Sequence, residues 1–205
     1  MSRTLCQQCY RPEKACICTF VTYTENNVHV VVLQHPTEVK QSKGTVSLLQ
    51  QSLKHCDVII GENFQENEQL NTLLAHYGDS LALLYPSENA IEVNFTALVD
   101  DSDEEYDEVV NQIKCIIILD GTWKKAYRMF KLNTFLVGMK HLTLPAGIDS
   151  LYDIRKTKKN NALSSLEACC HILARLENDE TKYQPLLKGF IDFNVFQQSF
   201  NKLKC

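Results

Sequence analysis

A chain of 205 residues with 44% apolar and 22% charged content is composed like an ordinary globular protein and suits one compact domain with a small appendage. No stretch approaches the run of about 20 apolar residues that a bilayer span needs, and the opening Met1–Cys9 segment lacks the apolar core of a secretory signal, so a cytoplasmic protein with no membrane partner is expected. The net charge of −4 argues only weakly against a nucleic-acid partner, because Asp100, Asp101, Asp103, Glu104, Glu105, Asp107 and Glu108 concentrate the negative charge and leave the rest of the chain net positive.

In chain order, the first feature is four cysteines. Cys6, Cys9, Cys16 and Cys18 read C-x2-C-x6-C-x-C, two close pairs able to supply four soft ligands to one tetrahedral zinc ion. Free thiols or two local disulfides are the alternatives, and disulfides are rare in a reducing compartment. Four thiolates would close the coordination shell, which makes the metal structural. Five strands are expected next, at Val28–Leu33, Val58–Ile60, Leu81–Tyr85, Cys115–Leu119 and His141–Leu144. Their apolar runs are continuous and not alternating, as suits strands buried on both faces of a parallel sheet. Helices are expected between and after them, at Thr45–His55, Glu66–Tyr77, Trp123–Leu132 and Leu163–Glu177, with one or two more across Tyr183–Leu203. Strand and helix alternating this way indicate an α/β layer fold, a largely parallel sheet flanked by helices. Ser164 with Glu167 forms a capping-box pattern for the helix that follows. The acidic run reads as a solvated loop, and Cys115, Cys169 and Cys170 read as small buried hydrophobes.

Ligands of open parallel sheets sit beyond the carboxyl ends of the strands. Three distinctive peptides fall there: Gln34-His35-Pro36-Thr37-Glu38-Val39-Lys40, continuing to Lys43-Gly44-Thr45, then Asp120-Gly121-Thr122-Trp123, and Pro145 through Arg155. Each has an ordinary explanation as a strand stop, a helix cap or a surface loop. Together they bring carboxylates, a histidine, hydroxyls and a tryptophan to one crevice. Beside it lie two basic groups, Lys124, Lys125, Arg128 and Lys131, then Arg155, Lys156, Lys158 and Lys159. Positions 124, 128 and 131 share a helix face and read either as a solvated face or as a rim for RNA phosphates.

In this order, and over nearly the whole chain, Cys6-x2-Cys9-x6-Cys16-x-Cys18, His35-Pro36-x-Glu38, Asp120-Gly121-Thr122-Trp123, Tyr152-x-x-Arg155 and Leu163-Ser164-Ser165-Leu166-Glu167-Ala168 resemble the DTW-domain family. Ser165 stands where the family usually carries threonine, and the acidic run is not part of the pattern. The resemblance implies a zinc-binding element over residues 1–24 and a catalytic domain over 25–205, similar to the SPOUT methyltransferases and carrying a C-terminal trefoil knot. It implies a tRNA-uridine aminocarboxypropyltransferase that moves the 3-amino-3-carboxypropyl group of S-adenosylmethionine to uridine N3. The short form points to the tRNA variable loop. Asp120 is the candidate base. The donor is expected against Leu119, Gly121, Thr122 and Trp123, against Leu144, Pro145, Tyr152 and Arg155, and against Ser164, Ser165 and Glu167. Arg155 suits its carboxylate. His35, Glu38, Lys124, Lys125, Arg128 and Lys156 are expected toward the tRNA substrate. The alternatives are a SPOUT-type RNA methyltransferase and a non-catalytic zinc-containing RNA-binding protein. Monomer and homodimer are both open.

Overall fold

The computed structural model describes residues 4–41, 44–95, 104–151 and 163–202. Among the described residues are six strands: β1 (His29–Gln34), β2 (Cys56–Ile60), β3 (Leu81–Leu84), β4 (Ile91–Glu92), β5 (Cys115–Asp120) and β6 (Lys140–Thr143). They form one sheet in the order β2-β1-β5-β3-β6-β4, and every pairing is parallel. Around them lie α1 (Val46–Ser52), α2 (Glu68–Tyr77), α3 (Glu104–Gln112), α4 (Trp123–Leu132), α5 (Ser165–Leu176) and α6 (Gln184–Lys202).

The continuous apolar runs have the consequence they predict. Val30 and Val32 of β1 and Ile116 and Ile118 of β5 face one core, which α1, α5 and α6 close with Leu48, Leu49, Leu173, Leu186 and Phe190. Val31, Leu33, Ile117 and Leu119 face a second core, closed by Leu70 of α2 and Met129 and Phe130 of α4. The sheet is therefore the middle of three layers. Each fully buried Val, Leu or Ile side chain contributes roughly 1.5–3 kcal/mol, and the neighbouring strands β1 and β5 supply such side chains to both faces.

Two expectations are corrected. The acidic run is not wholly a loop, because its second half begins α3. Acidic residues favour a helix start, where the macrodipole is positive, and Val110 and Ile113 reach the first core from this segment; the charge density hid these apolar anchors. A sixth strand was also missed. β4 is only two residues long, on the sheet edge beside β6, too short for any periodicity. Of the segment expected to hold one or two helices, Gln184–Lys202 forms the single helix α6, and Cys115, Cys169 and Cys170 are buried as expected.

The N-terminal element shares the first core. Ile17 is fully buried, and the Phe20 ring lies 6.0 Å from Phe193 and 5.2 Å from Phe196 of α6. The contact is close enough to need glycine at position 189, where an added Cβ would stand 2.5 Å from the Phe20 carbonyl oxygen. In an exposed helix, Gly→Ala would stabilise by about 1 kcal/mol. Here the overlap is with backbone, and overpacking of that kind costs about 1–3 kcal/mol. Gly189→Ala should therefore lower the thermal unfolding midpoint, and a rise would show that α6 does not press on the N-terminal element.

Candidate active site

The chain leaves β1 toward α1 on one face of the sheet and leaves the neighbouring β5 toward α4 on the other. Loops that part in opposite directions open a crevice at the carboxyl edge. A cavity of about 870 Å³ lies there, a size usual for small-molecule sites. Its floor is the ends of β3, β5 and β6, including Leu84, Leu119 and Leu142. Gly121, Thr122, Trp123 and Lys125 form one wall, Leu144 to Ile148 another, and Leu163, Ser164, Ser165 and Ala168 a third, with Glu38 and Gln41 at the β1 side.

Two helices start at the cavity. Thr122 caps α4 by accepting from the Lys125 amide. Ser164 caps α5 in the anticipated capping box, its hydroxyl accepting from the Glu167 amide while the Glu167 carboxylate accepts from the Ser164 amide. Both N-termini carry partial positive charge suited to anionic groups. Glu167 itself, expected at the donor, does not line the cavity. It is fully buried, and its carboxylate accepts from the Ser150 hydroxyl and the Leu151 and Ser164 amides. Its part is to tie the loop after β6 to the start of α5, one layer behind the wall.

Asp120 ends β5 and is 8% exposed. Its Oδ1 accepts from the Ser165 hydroxyl at 2.6 Å, and its Oδ2 accepts from Gln34 Nε2 at 2.9 Å. Ser165 lines the cavity and Asp120 lies behind it. The carboxylate is thus linked to the cavity through a hydroxyl.

At the β1 side a chain of polar contacts crosses three loops. His35 Nε2 lies 2.6 Å from Glu62 Oε1, and Arg128 reaches Glu62 Oε2 at 3.2 Å. The Thr37 amide donates to His35 Nδ1, so this nitrogen is the acceptor and Nε2 carries the proton toward Glu62. Lys125 Nζ donates to Thr37 Oγ1 and to Glu38 Oε1, both at 2.7 Å. Of the expected substrate residues, Glu38 and Lys125 line the cavity. His35 is buried and holds the loop, Arg128 is paired beside it, and Lys124 is exposed on α4. Tyr152, Arg155 and Lys156 lie outside the described residues.

Sequence reading passed over Glu62 and Tyr127. Nothing local marks Glu62. It is placed by Asn133, whose Nδ2 donates to the Glu62 carbonyl and whose Oδ1 accepts from the Phe64 amide. Tyr127 was legible: it is one helical turn after Trp123, both are about half exposed, and Lys131 Nζ lies 5.5 Å from the Tyr127 ring.

The cysteine element fits a zinc ion by geometry. Cys6 and Cys18 Sγ are 3.7 Å apart, Cys9 and Cys16 Sγ are 3.8 Å apart, and all four lie within 4.8 Å of one another. Zinc–sulfur bonds of about 2.3 Å in a tetrahedron require edges of about 3.8 Å. The Cys9 and Gln8 amides pull the Cys6 thiol down to about 6, while burial and the neighbouring sulfurs push Cys18 up to about 12. A dication reverses the second effect.

Fold and site together define a parallel α/β protein with a small-molecule cavity at its carboxyl edge and a four-cysteine element packed on its core. The chain belongs to the DTW domain family, which matches residues 3–198. It is 33% identical over 201 residues to the tRNA-uridine aminocarboxypropyltransferase 2 of Macaca fascicularis, covering 95% of this chain and 64% of that protein. The protein of that name from Mus musculus is 30% identical over 199 residues, with the same coverage, and that from Drosophila melanogaster is 31% identical over 192 residues, covering 91% and 72%. The chain thus spans 64% of the length of the two mammalian relatives. No solved structure matches it. Among the described residues, no helix is long and apolar enough to cross a membrane.

Proposed function

We propose that this chain transfers the 3-amino-3-carboxypropyl group of S-adenosylmethionine to N3 of a tRNA uridine in the variable loop. The observation that carries the reading is the cavity at the carboxyl edge, bounded by the Asp120–Trp123 turn, the Leu144–Ile148 loop and the start of α5, in a DTW-family chain. The names of its relatives supply the reaction class. We assign the domain to a SPOUT-like fold with a C-terminal trefoil knot. The late strands β5 and β6 inserted between earlier ones are compatible with it. The cysteine element holds a structural zinc.

In the reaction the bond between sulfur and the γ-carbon breaks, its electron pair stays on sulfur, and methylthioadenosine leaves. N3 forms the new bond to the γ-carbon and gives up its proton. Ser165 Oγ accepts that proton as its own passes to Asp120, so the carboxylate serves as the general base through one hydroxyl. The 2.6 Å Ser165–Asp120 contact supports this relay. Leu119, Gly121, Thr122, Trp123, Leu144, Pro145 and Ser164 enclose the donor, and Tyr152 and Arg155 complete its site.

Mass spectrometry of tRNA nucleosides after reaction, mapped to position, tests the proposal. Aminocarboxypropyluridine with release of methylthioadenosine is expected. Release of adenosylhomocysteine would make the chain a methyltransferase, and tRNA binding without donor turnover would make it a binding protein.

Lys124, Arg128 and Lys131 on α4, with Lys156, form the phosphate-contacting rim, and the exposed Trp123 and Tyr127 rings offer stacking faces for unpaired bases. Lys124→Ala with Lys131→Ala should weaken tRNA binding several-fold, roughly equally across tRNA sequences. The double change should reduce the slope of log affinity against log salt by about 2, or less if each single-strand contact counts about 0.7. An unchanged slope would place the tRNA elsewhere.

A further inference from the structure

On the reading just given, we infer that the Glu38–Lys125 ion pair is the clamp for the zwitterionic end of the donor, with Glu38 facing its α-ammonium and Lys125 its α-carboxylate. Both residues line the cavity, although 87 positions separate them in sequence. Glu38 is 7% exposed, so its charge is held in a largely dry place. Such burial is expensive unless a cation stands against it. Lys125 Nζ meets this requirement at 2.7 Å, and among the described residues two of its three N–H donors are used, on Thr37 and Glu38.

The pair is positioned by rigid parts. Thr37 is bonded to His35, which is bonded to Glu62, which is bonded to Arg128, so the loop after β1 is tied to α4 on both sides of the pair. Gly121 lets the Lys125 stem pass close, since a Cβ there would lie 3.1 Å from Lys125 Cβ. The result is one negative and one positive group side by side at the edge of a cavity whose floor is apolar. That is the complement of an amino-acid end attached to a nucleoside: the apolar floor suits the nucleoside, and the paired charges suit the ammonium and carboxylate.

The consequence is chemical selectivity. A sulfonium presents three carbons, and in-line approach to one excludes the others. Gripping the far end of the amino-acid arm fixes the direction of the γ-carbon relative to the acceptor nitrogen. A donor held by its adenosine alone would leave that direction undetermined.

Methylthioadenosine is the discriminating probe, because it keeps the nucleoside and lacks the arm. Titration calorimetry of the full chain with S-adenosylmethionine and with methylthioadenosine should show Glu38→Gln and Lys125→Met each weakening the first about 10- to 100-fold, the usual weight of a hydrogen bond to a charged group. Methylthioadenosine binding should stay within about twofold, which also shows that the variants are folded. Equal losses for both ligands would mean that the pair only shapes the cavity, and no loss for either would remove it from the donor site. Either result overturns the clamp while leaving the transferase reading standing. A wild-type chain that binds neither ligand overturns both.

Discussion

Asp120→Asn is expected to lower the rate of aminocarboxypropyl transfer about 10²- to 10³-fold, within the range for loss of a general base, while leaving the fold intact. The substitution keeps size and shape. Asn Oδ1 still accepts from the Ser165 hydroxyl, and the new amide can be met by Gln34 after a flip of its own amide, which exchanges donor for acceptor. What is lost is the negative charge that receives the Ser165 proton. Asp120→Ala is a different experiment. It strands the buried Gln34 amide, at about 1–3 kcal/mol for a group left without a partner, and leaves the Ser165 hydroxyl facing the cavity without its acceptor. Single-turnover kinetics with S-adenosylmethionine and tRNA, read beside thermal melting, separates the two. An Asn variant with wild-type turnover would reduce Asp120 to a bracket that holds α5 against β5.

Loss of one thiolate from the N-terminal element should be the largest stability effect. Cys9→Ser is expected to abolish stoichiometric zinc retention and to cost roughly 3 kcal/mol, about a quarter of the ~10–16 kcal/mol that structural zinc supplies in small zinc domains. The effect should not stay local. Ile17 is fully buried and Phe20 packs on Phe193 and Phe196, so loosening the element exposes the α6 side of the first core. Metal analysis of the purified chain, with hydrogen exchange along α6, checks this. A wild-type chain without zinc, or a Cys9→Ser variant with an unchanged midpoint, would contradict it.

The zinc element and the Asp120–Ser165 pair differ in how local their sequence signals are. The four cysteines are legible as a ligand set because their spacing is local, and the tetrahedron they form needs little from the rest of the chain. The buried strands are legible for a similar reason. Unbroken runs such as Val30–Leu33 and Cys115–Leu119 suit positions with a helix layer on each side. The capping box at Ser164 and Glu167 also reads directly, since it spans four residues. Even so, Glu167 reaches back to Ser150 and Leu151, a use that no pattern of neighbours would disclose.

Local sequence therefore determined the elements with long apolar runs or stripes, the metal-type cluster and the identities of the motif residues, though not β4 or α3. Tertiary structure decided which of them meet. Strand order is settled by the packing of whole faces, and only the placement of β5 beside β1 brings Gln34 to Asp120, with α5 then presenting Ser165 to the other oxygen. The same crossing carries Lys125 to Glu38 and gives Glu62 a histidine and an arginine. The periodicities that reveal helices and strands extend over a few residues. These contacts join residues 27 to 87 positions apart, beyond the reach of any local pattern.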